Sequence, residues 1–349
     1  MSKPMFYATL DASSIRSYQP DVPVLLPVSS FANQRLRQLA RRKGRVRPDV
    51  VDQLPIPDLR HLSHIAVDPG GYVATTRWGG RYRYSMEQYL GWLRMVQPCW
   101  AGLPDLTCQP LSSCWLPTVP ERQEAITETA WWFWERCRSA SWAWVPTVQG
   151  WQVEDYRAHA RALRPLIDEM RRIYEGRNNI AWRVGIGTLC GRRNAEEVRC
   201  IIDVVLAELP DVPLHLWGVK LSLLQQDIAL PPKVISADSA AWNGRFGRDL
   251  EHQKKSGLSQ REYAYRVALP SYLGRLHAAL LAPKRQRPLS AHPMICPACW
   301  YECGETWEDL EADEREEIQQ ARALDICPLC SQPLAAPTVR ALQAQAMAG

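Results

Sequence analysis

Short apolar runs recur along the chain a few tens of residues apart, and most end in an acid, an amide or a glycine. His64-Ile-Ala-Val runs into Asp68-Pro-Gly-Gly71, and Leu103-Pro104 leads to Asp105-Leu-Thr-Cys-Gln-Pro110. Trp144-Val-Pro-Thr-Val ends in Gln149-Gly150, and Trp182-Arg-Val ends in Gly185-Ile-Gly187. Leu214-His-Leu-Trp ends in Gly218-Val-Lys220, and Val234-Ile-Ser-Ala ends in Asp238. Two earlier runs, Phe6–Leu10 and Val22–Val28, read as further strands. Helical spacing fills most of the intervals. Met86, Tyr89, Leu90, Leu93 and Val96 share a face behind Ser85 and Gln88, which are spaced as a capping box. Residues 31–43, 121–138, 153–175, 195–209 and 258–281 carry further helical patterns, and an irregular stretch is predicted after Gly71. Eight strands alternating with helices predict an α/β fold, a (β/α)8 TIM-like barrel whose strand C-terminal ends converge on one pocket.

A chain of 349 residues suits one large domain with a small appendage. The character changes after Pro283, so the expected division is a barrel over 1–285 and a C-terminal segment over 286–349. That segment holds two Cys-x-x-Cys knuckles, Cys296/Cys299 and Cys327/Cys330, separated by 27 residues. Each presents two thiolates on a tight turn, and two turns complete a tetrahedral zinc shell, so a structural Zn2+ is expected there. Cys303 and His292 are substitute ligands. The other six of the 11 cysteines are scattered, unlike a secreted disulfide framework. No apolar run approaches the roughly 20 residues that span a bilayer, and no signal pattern opens the chain, so a soluble, cytoplasmic protein is expected. The net charge is +5, and 35 of the 42 basic residues are Arg, the side chain that best grips phosphate and stacks on bases.

Two aspartates stand at strand ends in unusual settings. Asp68 precedes a Pro-Gly-Gly turn through Gly70 and Gly71, where backbone can approach a ligand closely. Asp238 lies between small residues that leave room around its carboxylate. Acids at the C-terminal ends of different barrel strands read as catalytic, and two carboxylates can divide nucleophilic and acid/base work at one sugar carbon. A plain turn-capping role for both stays open at this point. His64 and His215, on apolar strands, read as satisfied core histidines. Trp131, Trp132 and Trp134 read as helix–barrel packing, and Cys108, Cys190 and Cys200 as buried thiols.

Six of these segments, Asp68-Pro-Gly-Gly-Tyr72, Asp105–Pro110, Val148-Gln-Gly150, Gly185-Ile-Gly187, Gly218-Val-Lys220 and Ser236-Ala-Asp-Ser239, occur in the order found in tRNA-guanine transglycosylases. The Ser-Ala-Asp-Ser-x-x-Trp form and the run at 185–192 more closely resemble the DNA branch, the DpdA family, which exchanges guanine in DNA for a 7-deazaguanine base. The resemblance covers about residues 6–330. It implies a pentosyltransferase in which Asp238 attacks C1′ of the deoxyribose and Asp68 is the general acid/base. It also implies that Asp105, Gln149, Gly150 and the backbone near Gly187 hold the edge of the base, with Gly70 and Gly71 close by. Tyr72, where the tRNA enzymes usually carry Phe, would stack on the base. Pro69 replaces the usual Ser, and the paired Cys-x-x-Cys departs from the three-Cys, one-His zinc set of the tRNA enzymes.

The implied partners are DNA, with its target base flipped out of the stack, a 7-deazaguanine such as preQ0, and possible further proteins of a DNA-modification system. Arg77, Arg81, Arg83, Arg192, Arg193, Lys220, Arg245 and Arg248 follow the strand-end motifs and are expected where phosphates pass. Three rival readings remain: the same chemistry on tRNA, a non-catalytic zinc-containing nucleic-acid-binding subunit, and a retaining glycosidase acting on carbohydrate.

Overall fold

A computed structural model describes residues 4–10, 22–28, 59, 62, 64–110, 114–177, 182–192, 194–225, 230–240 and 250–281. The chain divides into two compact units, one of 1–189, 202–218 and 231–240, the other of 190–201, 219–230 and 241–349. The expected helix at 31–43, the boundary near 285 and the cysteine knuckles lie outside the described residues.

Among the described residues the first unit holds nine strands: β1 (Met5–Thr9), β2 (Val24–Pro27), β3 (Ile65–Asp68), β4 (Trp100–Gly102), β5 (Ala143–Val145), β6 (Thr147–Val148), β7 (Val184–Ile186), β8 (Leu214–Leu216) and β9 (Val234–Ser239). They form one sheet in the order β5-β4-β3-β2-β1-β9-β8-β7-β6, and all pairings are parallel. Parallel strands are covered on both faces, which is why the runs are short, aliphatic and almost wholly buried. The ends of this order are two halves of one segment, 143–148. Pro146 has no N–H to give to a ladder, and it splits the single strand expected there. On one side Leu103 N–H donates to the Val145 carbonyl at 2.9 Å; on the other, Gly185 N–H donates to the Pro146 carbonyl at 2.8 Å. The sheet is thus barrel-like and nearly closed.

Side chains inside the sheet show the same curl. The Trp100 indole N–H of β4 donates to the Tyr7 hydroxyl of β1 at 2.9 Å, and its ring lies 4.9 Å from that of His215 in β8. None of these strands is a sheet neighbour of another, so only a sheet wrapped around itself brings them together.

Four helices of this unit are α1 (Gly71–Arg77), α2 (Met86–Val96), α3 (Val119–Cys137) and α4 (Val153–Glu175). The capping box read from Ser85 and Gln88 is present: Gln88 N–H donates to Ser85 Oγ at 3.2 Å, and Ser85 N–H donates to Gln88 Oε1 at 2.8 Å. The stretch expected to be irregular after Gly71 begins instead as α1. Gly70, with φ 85°, makes the sharp entry that no bulky residue would allow, and its carbonyl accepts from Ala74 N–H at 2.9 Å. Trp134 is buried and its indole donates to Glu169 at 2.8 Å, joining α3 to α4 as packing. Arg122 of α3 is also buried. Its guanidinium donates to the carbonyls of Leu116, Thr107, Gln109 and Pro117, pinning the loop that follows β4.

Helix α5 (Ala195–Glu208) follows β7. In the second unit, α6 (Leu221–Gln225), α7 (Leu250–Ser256), α8 (Gln260–Tyr263), a π-helical turn (Ala264–Ala268) and α9 (Leu269–Leu281) are described. The single helix expected at 258–281 is therefore interrupted. Pro270 cannot donate to the ladder, and the widened turn stands directly before it. No helix among the described residues is long and apolar enough to cross a membrane.

Candidate active site

The strand ends of the first unit carry the polar residues singled out from the sequence. Asp68 is the last residue of β3, Asp105 follows β4, Gln149 follows β6, Gly187 follows β7, Gly218 follows β8, and Asp238 lies near the end of β9. In a parallel ring all these ends point the same way. The two aspartates named from sequence are close enough that the charge of Asp238 adds to the cost of charging Asp68. Burial, and then the charges of Asp105 and Asp238, push Asp68 up to about 7, against the pull of a 2.7 Å hydrogen bond from Gly70 N–H. A carboxyl at that position can hold or release a proton near neutral pH.

Asp238 is buried, and three polar groups converge on it. Gly218 N–H donates to Oδ1 at 2.9 Å, His215 Nε2 faces Oδ1 at 3.3 Å, and the Thr9 hydroxyl donates to Oδ2 at 3.0 Å. A carboxylate only accepts, and the Gly218 N–H and the Thr9 hydroxyl each supply it with a donor. A turn cap would bond its own neighbours. Asp238 instead bonds residues of β1 and β8 and the turn after β8.

Asp105 and Gln149 form a polar edge. Gln149 Nε2 donates to Asp105 Oδ2 at 2.5 Å, while Gln149 Oε1 accepts from the Thr188 hydroxyl at 2.5 Å. Thr188 in turn accepts from Cys108 N–H at 2.9 Å. It holds a left-handed φ of 54°, a strained setting for a β-branched residue that these two bonds sustain. Tyr82 anchors Asp105 from behind, donating to its carbonyl at 2.6 Å and accepting from its N–H at 2.9 Å. Burial drives the Asp105 carboxyl up to about 6, although the Gln149 amide holds it down. Gly71 and Gly187 are small because of these partners: a Cβ on Gly71 would overlap the Asp105 carboxylate, and one on Gly187 would overlap the Gln149 amide. Gly150 packs against Tyr156.

The expected phosphate contacts differ in setting. Arg77, Arg81 and Arg83 are exposed on the segment that leaves Asp68. Arg81 lies over the Trp115 ring at 5.1 Å and Arg83 over the Trp78 ring at 5.6 Å. Tyr72 is 48% exposed on the first turn of α1. Arg192, expected at a phosphate, is buried and ion-paired with Glu197. Lys220 is half-buried in the second unit. Arg193, Arg245 and Arg248 lie outside the described residues, as do Cys296, Cys299, Cys327 and Cys330. Among the described residues no group of His, Cys, Asp or Glu could hold a metal ion.

Sequence reading missed Thr9, Tyr82 and Thr188, and it placed His215 correctly in the core without its partner. The available signal for His215 was position: an ionisable side chain three residues before Gly218, on the alternation that faces the barrel interior. His64, expected in the core, is exposed, and Cys190 and Cys200 are only half-buried.

A comparison with curated proteins found no match. A family model described as DpdA, DeoxyPurine in DNA protein A, matches residues 56–256, more than half of the chain and the span that carries Asp68, Asp105, Gln149, Gly187 and Asp238. The chain belongs to the DpdA family.

Proposed function

We propose that this protein exchanges a guanine in DNA for a 7-deazaguanine base such as preQ0, through a covalent bond between Asp238 and the deoxyribose. The observation that carries the reading is the pairing of a donor-ringed acid on β9 with a near-neutral acid on β3 at one end of the same parallel ring. Counting β5 and β6 as one strand broken at Pro146, we take the first unit as a (β/α)8 barrel.

In this mechanism the target base leaves the stack, at a cost of roughly a few kcal/mol. A carboxylate oxygen of Asp238 attacks C1′, and the C1′–N9 bond breaks with its electron pair leaving on guanine. Asp68 supplies a proton to the departing base and becomes charged. The incoming base then loses its proton to Asp68, its nitrogen attacks C1′, and the ester to Asp238 breaks. Atoms and charge balance over the cycle, and both acids end as they began. Asp105 and Gln149 would pair with the base edge, beside the Gly150 and Gly187 backbone, and Tyr72 would stack over it. Arg77, Arg81 and Arg83 would meet phosphates. Because the rings of Trp115 and Trp78 already order two of these side chains, less freedom is lost on binding.

Cys296, Cys299, Cys327 and Cys330 would hold a structural zinc. Two thiolate pairs are the donor set that fills its tetrahedral shell, and the ion would staple the C-terminal segment.

Incubation of the protein with labelled guanine and either DNA or tRNA tests the reading. Label is expected in DNA; incorporation into tRNA alone would overturn the choice of nucleic acid. Gly187→Ala drives a methyl group into the Gln149 amide, so the KM for the free base is expected to rise about tenfold, the worth of one good hydrogen bond. Steady-state exchange against base concentration measures it. An unchanged KM would remove Gln149 from the base site.

A further inference from the structure

Below Asp238 a line of polar side chains runs into the otherwise apolar and aromatic interior of the barrel. Arg183 Nη1 donates to Ser236 Oγ at 2.7 Å, Ser236 Oγ lies 2.9 Å from His215 Nδ1, and His215 Nε2 lies 3.3 Å from Asp238 Oδ1. All four residues are buried. The imidazole is packed among the rings of Trp100, Trp217 and Tyr7, with centroids at 4.9, 4.5 and 6.1 Å. Arg183 itself lies over the Trp100 ring at 5.0 Å.

The direction of each bond follows from the chemistry of its ends. A guanidinium only donates, so Ser236 accepts from Arg183. Its own hydroxyl hydrogen then has one acceptor among the described residues, His215 Nδ1. That leaves Nε2 carrying the hydrogen, aimed at the Asp238 carboxylate. The opposite tautomer would strand the Ser236 hydrogen and set the Nε2 lone pair against a carboxylate oxygen. Burial, aided by the Arg183 charge, also disfavours a second proton on the ring.

We propose that Arg183, Ser236 and His215 form a hydrogen-bonded column that fixes His215 as its Nε2–H tautomer and thereby sets the orientation of the Asp238 carboxylate. They are positioning residues, since none need touch the substrate. Among the described residues Oδ1 receives two donors, from His215 and Gly218, and Oδ2 receives one, from Thr9. Oδ2 therefore keeps a lone pair for attack, while Oδ1 is held. The kinetic consequence rests on the base-exchange reading; the tautomer does not.

Nitrogen-15 NMR of the full chain labelled in histidine reads the tautomer directly, with His215 identified by the signals lost in His215→Gln. A protonated Nε2 and a bare Nδ1 are expected at neutral pH. A protonated Nδ1 would overturn the column. In kinetics, Ser236→Ala and Arg183→Met are expected to slow formation of the DNA adduct about tenfold or more, the size of a hydrogen bond to a charged group, with the KM for free base within about twofold. His215→Gln, which still offers an N–H, should keep more of the rate than His215→Leu. A folded His215→Leu protein that forms adduct at the wild-type rate would also overturn the column. If the unaltered protein forms no adduct with either nucleic acid, base exchange fails as a reading, and the NMR result still decides the column.

Discussion

Replacing Asp238 by Asn is expected to leave a folded protein that retains DNA yet forms no adduct and exchanges no base. Asn keeps the shape of the side chain. Its carbonyl oxygen still accepts from Gly218 N–H, and its NH2 group can donate to the Thr9 hydroxyl in place of the bond it replaces. The buried site is therefore filled and largely satisfied, so stability changes little. An amide oxygen is a poor nucleophile and cannot offset positive charge on the sugar. A loss on the order of 10⁴-fold or more is expected, as for other enzymes stripped of a covalent nucleophile. A denaturing gel of protein and DNA reads the adduct, and label exchange reads turnover. Wild-type turnover in this variant would remove Asp238 as the nucleophile.

Asp68→Asn is expected to lower exchange by about 10²–10⁴-fold, the usual worth of a general acid/base, and to change how stability depends on pH. The carboxyl is raised from 3.8 to about 7, chiefly by burial. Between those values the folded chain holds a proton that the unfolded chain has released. The contribution of Asp68 to stability is thus fullest below about pH 4 and falls as pH rises to about 7. Over that window the loss reaches a few kcal/mol at most, because each tenfold change in proton affinity is worth about 1.4 kcal/mol. Asn has no proton to lose, so its melting temperature should gain on the wild type as pH rises from 4 to 8. In the proposed mechanism a protonated Asp68 releases the base, so exchange by the wild type should decline above about pH 7. Asp105 titrates nearby, at about 6, so the profile reports the pair rather than one residue. A melting-temperature difference that stays flat across this range would show that Asp68 is not raised.

Local signals carried a large part of the fold. The Ser85/Gln88 capping box, the helix at 153–175 and the alternation of short buried runs with helices all stand in the structure as read. They were legible because capping and apolar periodicity are short-range properties of neighbouring residues. Pro146 and Pro270 were equally visible as letters. What they do to strand 143–148 and to the π turn depends on partners that come from elsewhere in the chain.

The candidate site divides in the same way. Asp68, Asp105, Gln149 and Asp238 stood out because each ends an apolar run. In sequence Arg192 looked like Arg77, Arg81 and Arg83, yet it is enclosed with Glu197, and no local pattern separates a buried arginine from a solvated one. His215 looked like a core histidine, and it is buried; its bond to Asp238 joins positions 23 apart, and Thr9 reaches the same carboxylate from 229 positions away.

By itself the sequence determined the alternation of strands and helices, the acids at the strand ends and the two Cys-x-x-Cys pairs, because these follow from spacing along the chain. Tertiary structure alone decided which donors surround Asp238, how far Asp68 is driven toward neutrality, and that Gly71 and Gly187 make room for Asp105 and Gln149. Those properties arise from desolvation and from contacts across the ring, and both come into being only when distant strands close around one interior.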